Sequence, residues 1–164
     1  MTDLKNKTLG YTLHYANRMA MTLLQKKIKK HQVAVGQFPI LVHLWAEQGI
    51  TQKSLCEHIR VEQPTLANTL KRMERDGLIR REPDEADKRQ WRIYPTQRAL
   101  GLKDRLQEKS RQVNQVITGR LTETETAEFI RLMGIITATL EDELSPGRAP
   151  QKTEPEKRTV ESDC

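Results

Sequence analysis

Four polar side chains recur at helical spacing near the middle of the chain. The segment QPTLANTLKRMERD places them at positions i, i+3, i+4 and i+7, on one face of a helix: Thr65, Asn68, Thr69 and Arg72. Asparagine can pair with adenine through two hydrogen bonds, arginine can do the same with guanine, and threonine can contact the methyl group of thymine. This face has the chemistry to recognise bases, although a polar helix face is more often simply solvated.

The helix that carries these residues has a second, apolar face. That face is formed by Leu66, Leu70 and Met73. A shorter helix is predicted over Thr51–Ile59, and only the residues RVE separate the two, which is the spacing of a helix-turn-helix. Gln63 and Pro64 lie in the first turn of the second helix, where exposed N–H groups and the helix dipole favour phosphate. In such a motif the second helix enters the major groove.

A charged hairpin follows the second helix. The residues LIRRE predict one short strand, PDEADKRQ a turn-forming tip, and WRIYP a returning strand with half-buried alternation. The tip carries Lys88 and Arg89 close to three acids. We expect Asp87 to hold one basic side chain while the other reaches into a narrow minor groove, whose negative potential attracts cations. A solvated hairpin with incidental charge pairs is the alternative.

Longer helices must support these elements. Apolar periodicity predicts helices over about Leu9–Lys30, Gly36–Gln48, Thr96–Arg120 and Thr122–Leu144. The fold class is therefore mainly α, a winged helix-turn-helix with a two-stranded β wing and long helices at both ends. Residues 145–164 contain three prolines and almost no apolar side chain, which predicts a disordered tail.

The charge of the chain favours a polyanionic partner. The formal net charge is +6, and because the acids and bases of 145–164 cancel, all of it falls on 1–144. A basic protein without such a partner is the alternative. No stretch approaches the ~18 apolar residues of a membrane span, and the N-terminus lacks a signal-peptide pattern. We therefore expect a cytoplasmic protein without a membrane partner.

Other function classes have little support in the sequence. No nucleophile elbow, phosphate-binding loop or zinc-protease motif is present, so we expect no enzyme, no catalytic residues and no cofactor. The four histidines are scattered and suggest no metal site. Cys56 and Cys164 form no disulfide framework. Cys56 is predicted to be a buried, unreactive thiol, which argues against redox control.

The segment VEQPTLANTLKRMERDGLIRREPDEADKRQWRIYPT resembles the helix-turn-helix and wing of the MarR/SlyA family of transcription regulators. The family's wing signature is Asp-x-Arg and, after five further residues, Leu-Thr. Here it falls on Asp87, Arg89 and Thr96, with Pro95 in place of the usual leucine. The resemblance extends over roughly residues 9–144, including the order of the helices.

The resemblance implies that the chain binds double-stranded DNA. It assigns the contacts to Lys53, Ser54, Gln63, Pro64, Thr65, Asn68, Thr69, Arg72, Asp87, Lys88 and Arg89. Either Lys88 or Arg89 can be the residue that enters the minor groove, and the sequence does not decide between them. The resemblance also implies a repressor or anti-repressor, an obligate homodimer on a pseudo-palindromic operator with recognition helices about 34 Å apart. The corresponding domains are an N-terminal dimerisation helix (1–34), the winged helix-turn-helix (35–95), C-terminal dimerisation helices (96–144) and the tail (145–164).

Members of this family commonly respond to small aromatic acids or phenols, bound in a crevice between the dimerisation and DNA-binding regions. The resemblance therefore implies an effector site with the candidates Tyr11, His14, Tyr15, Arg18, Phe38 and His43. A cation beside aromatic rings could hold an aromatic carboxylate. Alternatively, these are ordinary packed, capping or solvated residues. The alternative function is an architectural DNA-binding protein with weak sequence preference and no ligand control.

Overall fold

The computed structural model describes residues 8–144, so the predicted tail and Cys164 lie outside the described residues. The described part contains helices α1 (Leu9–Ile28), α2 (Phe38–Ala46), α3 (Gln52–Ile59), α4 (Gln63–Arg75), α5 (Gln97–Thr118) and α6 (Glu123–Leu144). Its strands are β1 (Ile50–Thr51), β2 (Ile79–Pro83) and β3 (Trp91–Pro95). Residues 120–144 belong to a compact unit separate from the preceding residues, so α6 is described by itself.

Helix α1 begins where the sequence predicts and packs along α5. The hydroxyl of Thr8 accepts a hydrogen bond from the Tyr11 amide and caps the first turn. Leu24 and Ile28 are buried at its C-terminal end, in the same core cluster as Leu106 of α5. A 3-10 turn, Lys29–His31, then closes α1. The core that holds α1 is therefore concentrated at the end nearest α2.

The helix-turn-helix is built from α3 and α4 as predicted. Thr51 caps α3 by accepting a hydrogen bond from the Ser54 amide at 3.2 Å. Gly77 has a φ of +65°, which only glycine adopts at little cost, and ends α4. The Leu78 amide then donates to the Met73 carbonyl at 2.8 Å, folding the chain back onto the helix.

The sheet has three strands, one more than predicted, in the order β1-β3-β2. The two wing strands β2 and β3 are confirmed, and they pair antiparallel from Ile79 opposite Pro95 to Pro83 opposite Trp91. The additional strand β1 pairs with β3. It has only two residues, too few for any periodic signal. Gly49 allows this pairing, because a Cβ there would lie 2.9 Å from the Tyr94 ring.

Strand β3 is less buried than its alternation predicts. Ile93 and Pro95 are buried, but the Trp91 side chain is 45% exposed. The buried alternation predicted for WRIYP therefore holds at Ile93 and Pro95 but is wrong at Trp91, which pairs with Pro83 at the outer end of the hairpin.

Helices α5 and α6 both begin with a threonine whose side chain caps the first turn. Thr96 accepts from the Ala99 amide. Thr122 and Glu125 form a reciprocal capping box, with each backbone amide bonded to the other's side chain. No residue of α6 is buried, and its exposed apolar side chains include Phe129, Ile130, Leu132, Ile135, Leu140 and Leu144. None of the described helices is long and apolar enough to cross a membrane.

Candidate nucleic-acid interface

Helix α4 separates its apolar and polar side chains onto two faces. Leu66, Leu70 and Met73 are at most 1% exposed and anchor the helix in the core. Burial of such side chains typically contributes about 1.5–3 kcal/mol each. The predicted contact residues lie on the solvent side, where the exposed ones are Gln63, Pro64, Thr65, Asn68 and Arg72.

Thr69 differs from the other predicted residues of α4. It is half-buried, and its hydroxyl donates to the Thr65 carbonyl at 2.9 Å. The hydroxyl is therefore already used by the helix itself. Thr69 can offer its methyl group to a partner more readily than its hydroxyl.

A cleft of about 380 Å³ brings the start of α3, the start of α4 and the wing together. It is lined by Gln52, Lys53, Gln63, Arg89, Gln90 and Trp91. Lys53 and Arg89 are both exposed cations, and the lining contains no acid. Ser54, next to Lys53, is half-buried, and its backbone amide donates to the hydroxyl of Thr51, the cap of α3. The cleft can thus present two positive charges and several hydrogen-bond donors to an anionic group.

Sequence reasoning missed three residues of this cleft. Gln52 and Gln90 each carry one side-chain amide beside a charged neighbour, and the alternation of WRIYP predicts Trp91 on the buried face of its strand. The available signal was the position of Gln52 next to Lys53 and of Gln90 next to Arg89. Neither periodicity nor a motif reports which side of a hairpin faces a neighbouring helix.

Asp84 organises the wing tip. Its side chain is 7% exposed, and one oxygen accepts from the backbone amides of Ala86 and Asp87, both at 2.8 Å. The other oxygen accepts from Arg92 Nε at 2.5 Å. The Asp87 amide, more than any other group, lowers the pKa of Asp84, and the bonds from Ala86 and Arg92 add to this against the opposing effect of burial. The wing tip thus folds around one ionised carboxylate.

The prediction that Asp87 holds a basic side chain is wrong. Its carboxylate accepts from the backbone amide of Arg89 at 3.0 Å and from the side-chain amide of Gln90 at 3.1 Å. The held cation is Arg92, which also donates to the Gly49 carbonyl at 2.9 Å. Asp84 takes this role because it comes directly after β2, where its side chain faces back into the turn.

Both basic residues of the wing tip are exposed. Arg89 lines the cleft shared with α3 and α4, and Lys88 precedes it at the outer end of the hairpin. The structure therefore gives the two cations different surroundings. Which of them enters a groove stays a prediction.

The candidate effector residues fall into two groups with different neighbours. On α1, the rings of Tyr11 and Tyr15 stack at 6.2 Å, and the Arg18 guanidinium lies 5.5 Å from the Tyr15 ring centre. His14 is exposed on the same helix. On α2, Phe38 packs edge-on against Trp45 at 6.2 Å, and His43 stacks on His58 of α3 at 5.6 Å. An apolar cavity of about 360 Å³ beside α1 is lined by other residues: Ala16, Met19, Ala20, Thr22, Leu23, Lys26, Val116 and Ile117.

Cys56 is buried, as predicted. Its side chain is 7% exposed, and burial, followed by the nearby charges of Glu62 and Glu57, raises the pKa of the thiol. A raised pKa leaves little of the reactive thiolate at neutral pH. Among the described residues, no group of three His, Cys, Asp or Glu side chains could hold a metal ion.

The family model of the MarR family matches residues 33–91. The HTH-type transcriptional regulator MgrA of Staphylococcus aureus is 30% identical over 137 residues, which cover 82% of this chain and 92% of MgrA. Two solved structures share the fold. A putative MarR family regulator of Listeria monocytogenes complexed with 26mer DNA has a TM-score of 0.76 at 22% identity, over 84% of this chain and 91% of that one. The S. aureus MepR-DNA complex has a TM-score of 0.76 at 22% identity, over 80% and 98%. The chain therefore belongs to the MarR family of transcriptional regulators.

Proposed function

We propose that this protein is a homodimeric regulator that binds a specific site on double-stranded DNA, with α4 in the major groove and the wing tip in the minor groove. The observation that carries the proposal is the cleft shared by α3, α4 and the wing, with Lys53 and Arg89 on its walls and no acid in its lining. Two proteins of the same fold were solved with DNA, which supports this partner.

The exposed face of α4 supplies the base recognition in this proposal. Asn68 and Arg72 lie one turn apart and can each pair with a purine edge through two hydrogen bonds. Thr65 adds a methyl group and lies in the first turn, where the helix dipole also attracts phosphate. Pro64 and Gln63 bring the start of the helix close to the backbone of the duplex. Phosphate contacts fix the register, and base contacts select the sequence.

The wing supplies the minor-groove contact. Asp84 and Asp87 bond to the backbone amides of the tip and hold its turn. Lys88 and Arg89 stay exposed at that turn. A fixed turn lowers the conformational entropy that either cation loses when it enters a groove. Asp87 thus serves DNA binding through the shape of the tip rather than through direct contact.

Dimerisation accounts for the apolar side chains that the single chain leaves exposed. Helix α6 buries none of its residues, and Ile130 is 64% exposed. Met19 of α1 and Val116 of α5 are 51% and 62% exposed beside the apolar cavity. A soluble monomer rarely exposes so much apolar surface. A second copy that covers these helices would place two recognition helices about 34 Å apart, in successive major grooves.

The regulatory part of the proposal is repression that a small aromatic acid or phenol relieves. A dimer seated on a promoter blocks access by other proteins. The group on α1 supports the effector, because Arg18 beside the Tyr15 ring can pair with a carboxylate near an aromatic surface. Among the six candidates only Arg18 carries a permanent positive charge, so we place the effector on the α1 group. Arg18→Ala should abolish any salicylate-dependent loss of DNA binding while DNA binding without salicylate is kept.

Selection from a random-sequence duplex library tests the DNA-binding proposal. We expect the full-length chain to enrich a two-fold symmetric site with half-site centres about 10 base pairs apart. Sedimentation should show two chains per duplex. Inserting five base pairs between the half-sites moves one of them to the opposite side of the duplex, which should abolish tight binding. Enrichment of no sequence, with equal binding to both spacings, would instead favour the architectural alternative.

A further inference from the structure

The C-terminal end of α4 is held by hydrogen bonds from three side chains, two at the start of α5 and one just before α2. The Asp76 carbonyl accepts from the Arg98 guanidinium, and the Gly77 carbonyl accepts from the Thr96 hydroxyl at 2.7 Å. The Asp76 carboxylate accepts from the side-chain amide of Gln37 at 3.0 Å. The α4 clamp consists of Gln37, Asp76, Thr96 and Arg98. Among these four residues the sequence points only to Thr96, and only as a position of the wing signature.

Gln37 is a buried polar residue whose side-chain amide makes hydrogen bonds through both its nitrogen and its oxygen. It is 4% exposed, and while its nitrogen donates to Asp76, its oxygen accepts from the Ala34 amide at 2.9 Å. The bond from Gln37 is the largest cause that lowers the pKa of Asp76, followed by the bond from Arg75. Asp76 therefore stays ionised, and the segment before α2 is fixed to the end of α4.

Arg98 joins α4 to the two long helices of the same unit. One guanidinium nitrogen donates to the Asp76 carbonyl. The other lies 3.3 Å from both the His31 carbonyl and Gln32 Oε1, at the end of the turn that follows α1. Arg98 itself belongs to the first turn of α5. A single exposed side chain thus connects the ends of α1 and α4 with the start of α5.

These bonds restrict motions that apolar packing leaves free. Leu66, Leu70 and Met73 keep α4 against the core, but hydrophobic contact is non-directional and tolerates small rotations and shifts. Hydrogen bonds depend steeply on distance and angle. Two-point contacts between side chains and bases need the helix to be placed within about 0.5 Å.

We propose that Arg98 is a positioning residue for DNA recognition, which fixes the orientation of α4 relative to α1 and α5. This role rests on the proposed function above. Arg98 acts through α4 rather than on DNA, because its guanidinium already donates to the Asp76 carbonyl and to the turn after α1, at the end of α4 away from Gln63. The 13 residues of the helix put its two ends about 20 Å apart. A shift of α1 against α5 would reach the recognition helix through this side chain.

The test compares three variants of the full-length chain, Arg98→Ala, Arg98→Lys and Arg105→Ala. Arg105 is an exposed arginine of the same helix, so its loss removes the same charge without touching the α4 clamp. Dissociation constants are measured for the duplex selected by the unaltered chain and for a shuffled duplex, each at several salt concentrations. Thermal unfolding and sedimentation report stability and dimerisation.

We expect Arg98→Ala to lower the preference for the selected duplex about tenfold. Arg98→Lys should keep part of the preference, because an ammonium group can still reach one carbonyl. Arg105→Ala should keep all of it. The salt dependence of binding should be the same for Arg98→Ala and the unaltered chain, and all variants should remain dimers.

Two results would overturn the positioning role while the proposed function stands. In one, Arg98→Ala is as selective as Arg105→Ala. In the other, the slope of affinity against salt falls by about one in Arg98→Ala, which is the mark of a lost phosphate contact. If the unaltered chain itself prefers no sequence, the proposed function and the positioning role fail together. The unaltered chain therefore distinguishes the two failures.

Discussion

Helix α4 and the wing tip border the same cleft, but different forces hold them in place. Helix α4 is anchored by three apolar side chains that are at most 1% exposed. The wing tip turns around one buried carboxylate, Asp84, through bonds to two backbone amides and to Arg92. Damage to the α4 interior should therefore unfold the protein, whereas damage to the wing tip should weaken DNA binding in a folded protein.

The largest expected effect is on stability, from Leu70→Ala. Leu70 is fully buried, so its truncation removes apolar contacts and leaves a cavity. We expect the free energy of unfolding to fall by about 2–5 kcal/mol, measured by urea denaturation. Lys71→Ala, at the next and exposed position, should change it by no more than about 0.5 kcal/mol. Equal losses in the two variants would contradict the assignment of the buried face.

The second effect is on sequence discrimination, from Arg72→Ala on the exposed face of α4. If Arg72 contacts a base, its loss should reduce discrimination against altered sites by about 1–3 kcal/mol, with unfolding nearly unchanged. Fluorescence anisotropy on the selected duplex and single-base variants measures this. A uniform loss of affinity for every duplex would mean that Arg72 contacts phosphate instead.

The third effect separates the wing from the core. Asp84→Ala removes the acceptor of two amides and of Arg92, so the tip should lose its turn. We expect an affinity loss of about tenfold and a stability loss of only about 1–2 kcal/mol. Glu85→Ala changes the exposed residue at the next position and is the matched control. It should keep the DNA affinity and the stability of the unaltered chain. A loss of stability as large as that of Leu70→Ala would remove the contrast between the two regions.

The smallest effect is the pH dependence of Asp84. Its pKa in the folded protein lies below its ordinary value, so the unfolded chain binds a proton more readily. The stabilising contribution is therefore complete above about pH 4 and is lost as the pH falls through the folded pKa. The difference in unfolding free energy between the unaltered chain and Asp84→Asn should stay constant from pH 7 to 5 and shrink in stronger acid. A difference that grows on acidification would contradict this sign.

The difference between α4 and the wing tip also explains which of their features can be predicted from the sequence. Helix α4 depends on local signals: its predicted apolar stripe is confirmed, and its end at Gly77 and Leu78 is formed by residues adjacent in the chain. The hydrogen bonds of the wing tip depend on which carboxylate faces the turn, and this is not a local signal. Three acids stand within four positions there, and their spacing alone does not distinguish Asp84 from Asp87.

Features that depend on distant partners were also missed. The short strand β1 exists only through its pairing with β3, which lies about forty residues later. The role of Arg98 depends on His31 and Asp76, which come from two other parts of the chain. No local pattern predicts such contacts, whereas periodic apolar faces and helix caps are determined by residues close together in the chain.

The most direct test of the central claim is the ratio of two affinities. Anisotropy titrations at about 150 mM salt would compare the duplex selected by the full-length chain with a shuffled duplex of the same composition. We expect a preference of about 10³-fold or more for the selected duplex. Equal affinities for the two duplexes, both falling steeply with salt, would contradict it and identify a DNA-binding protein without sequence recognition.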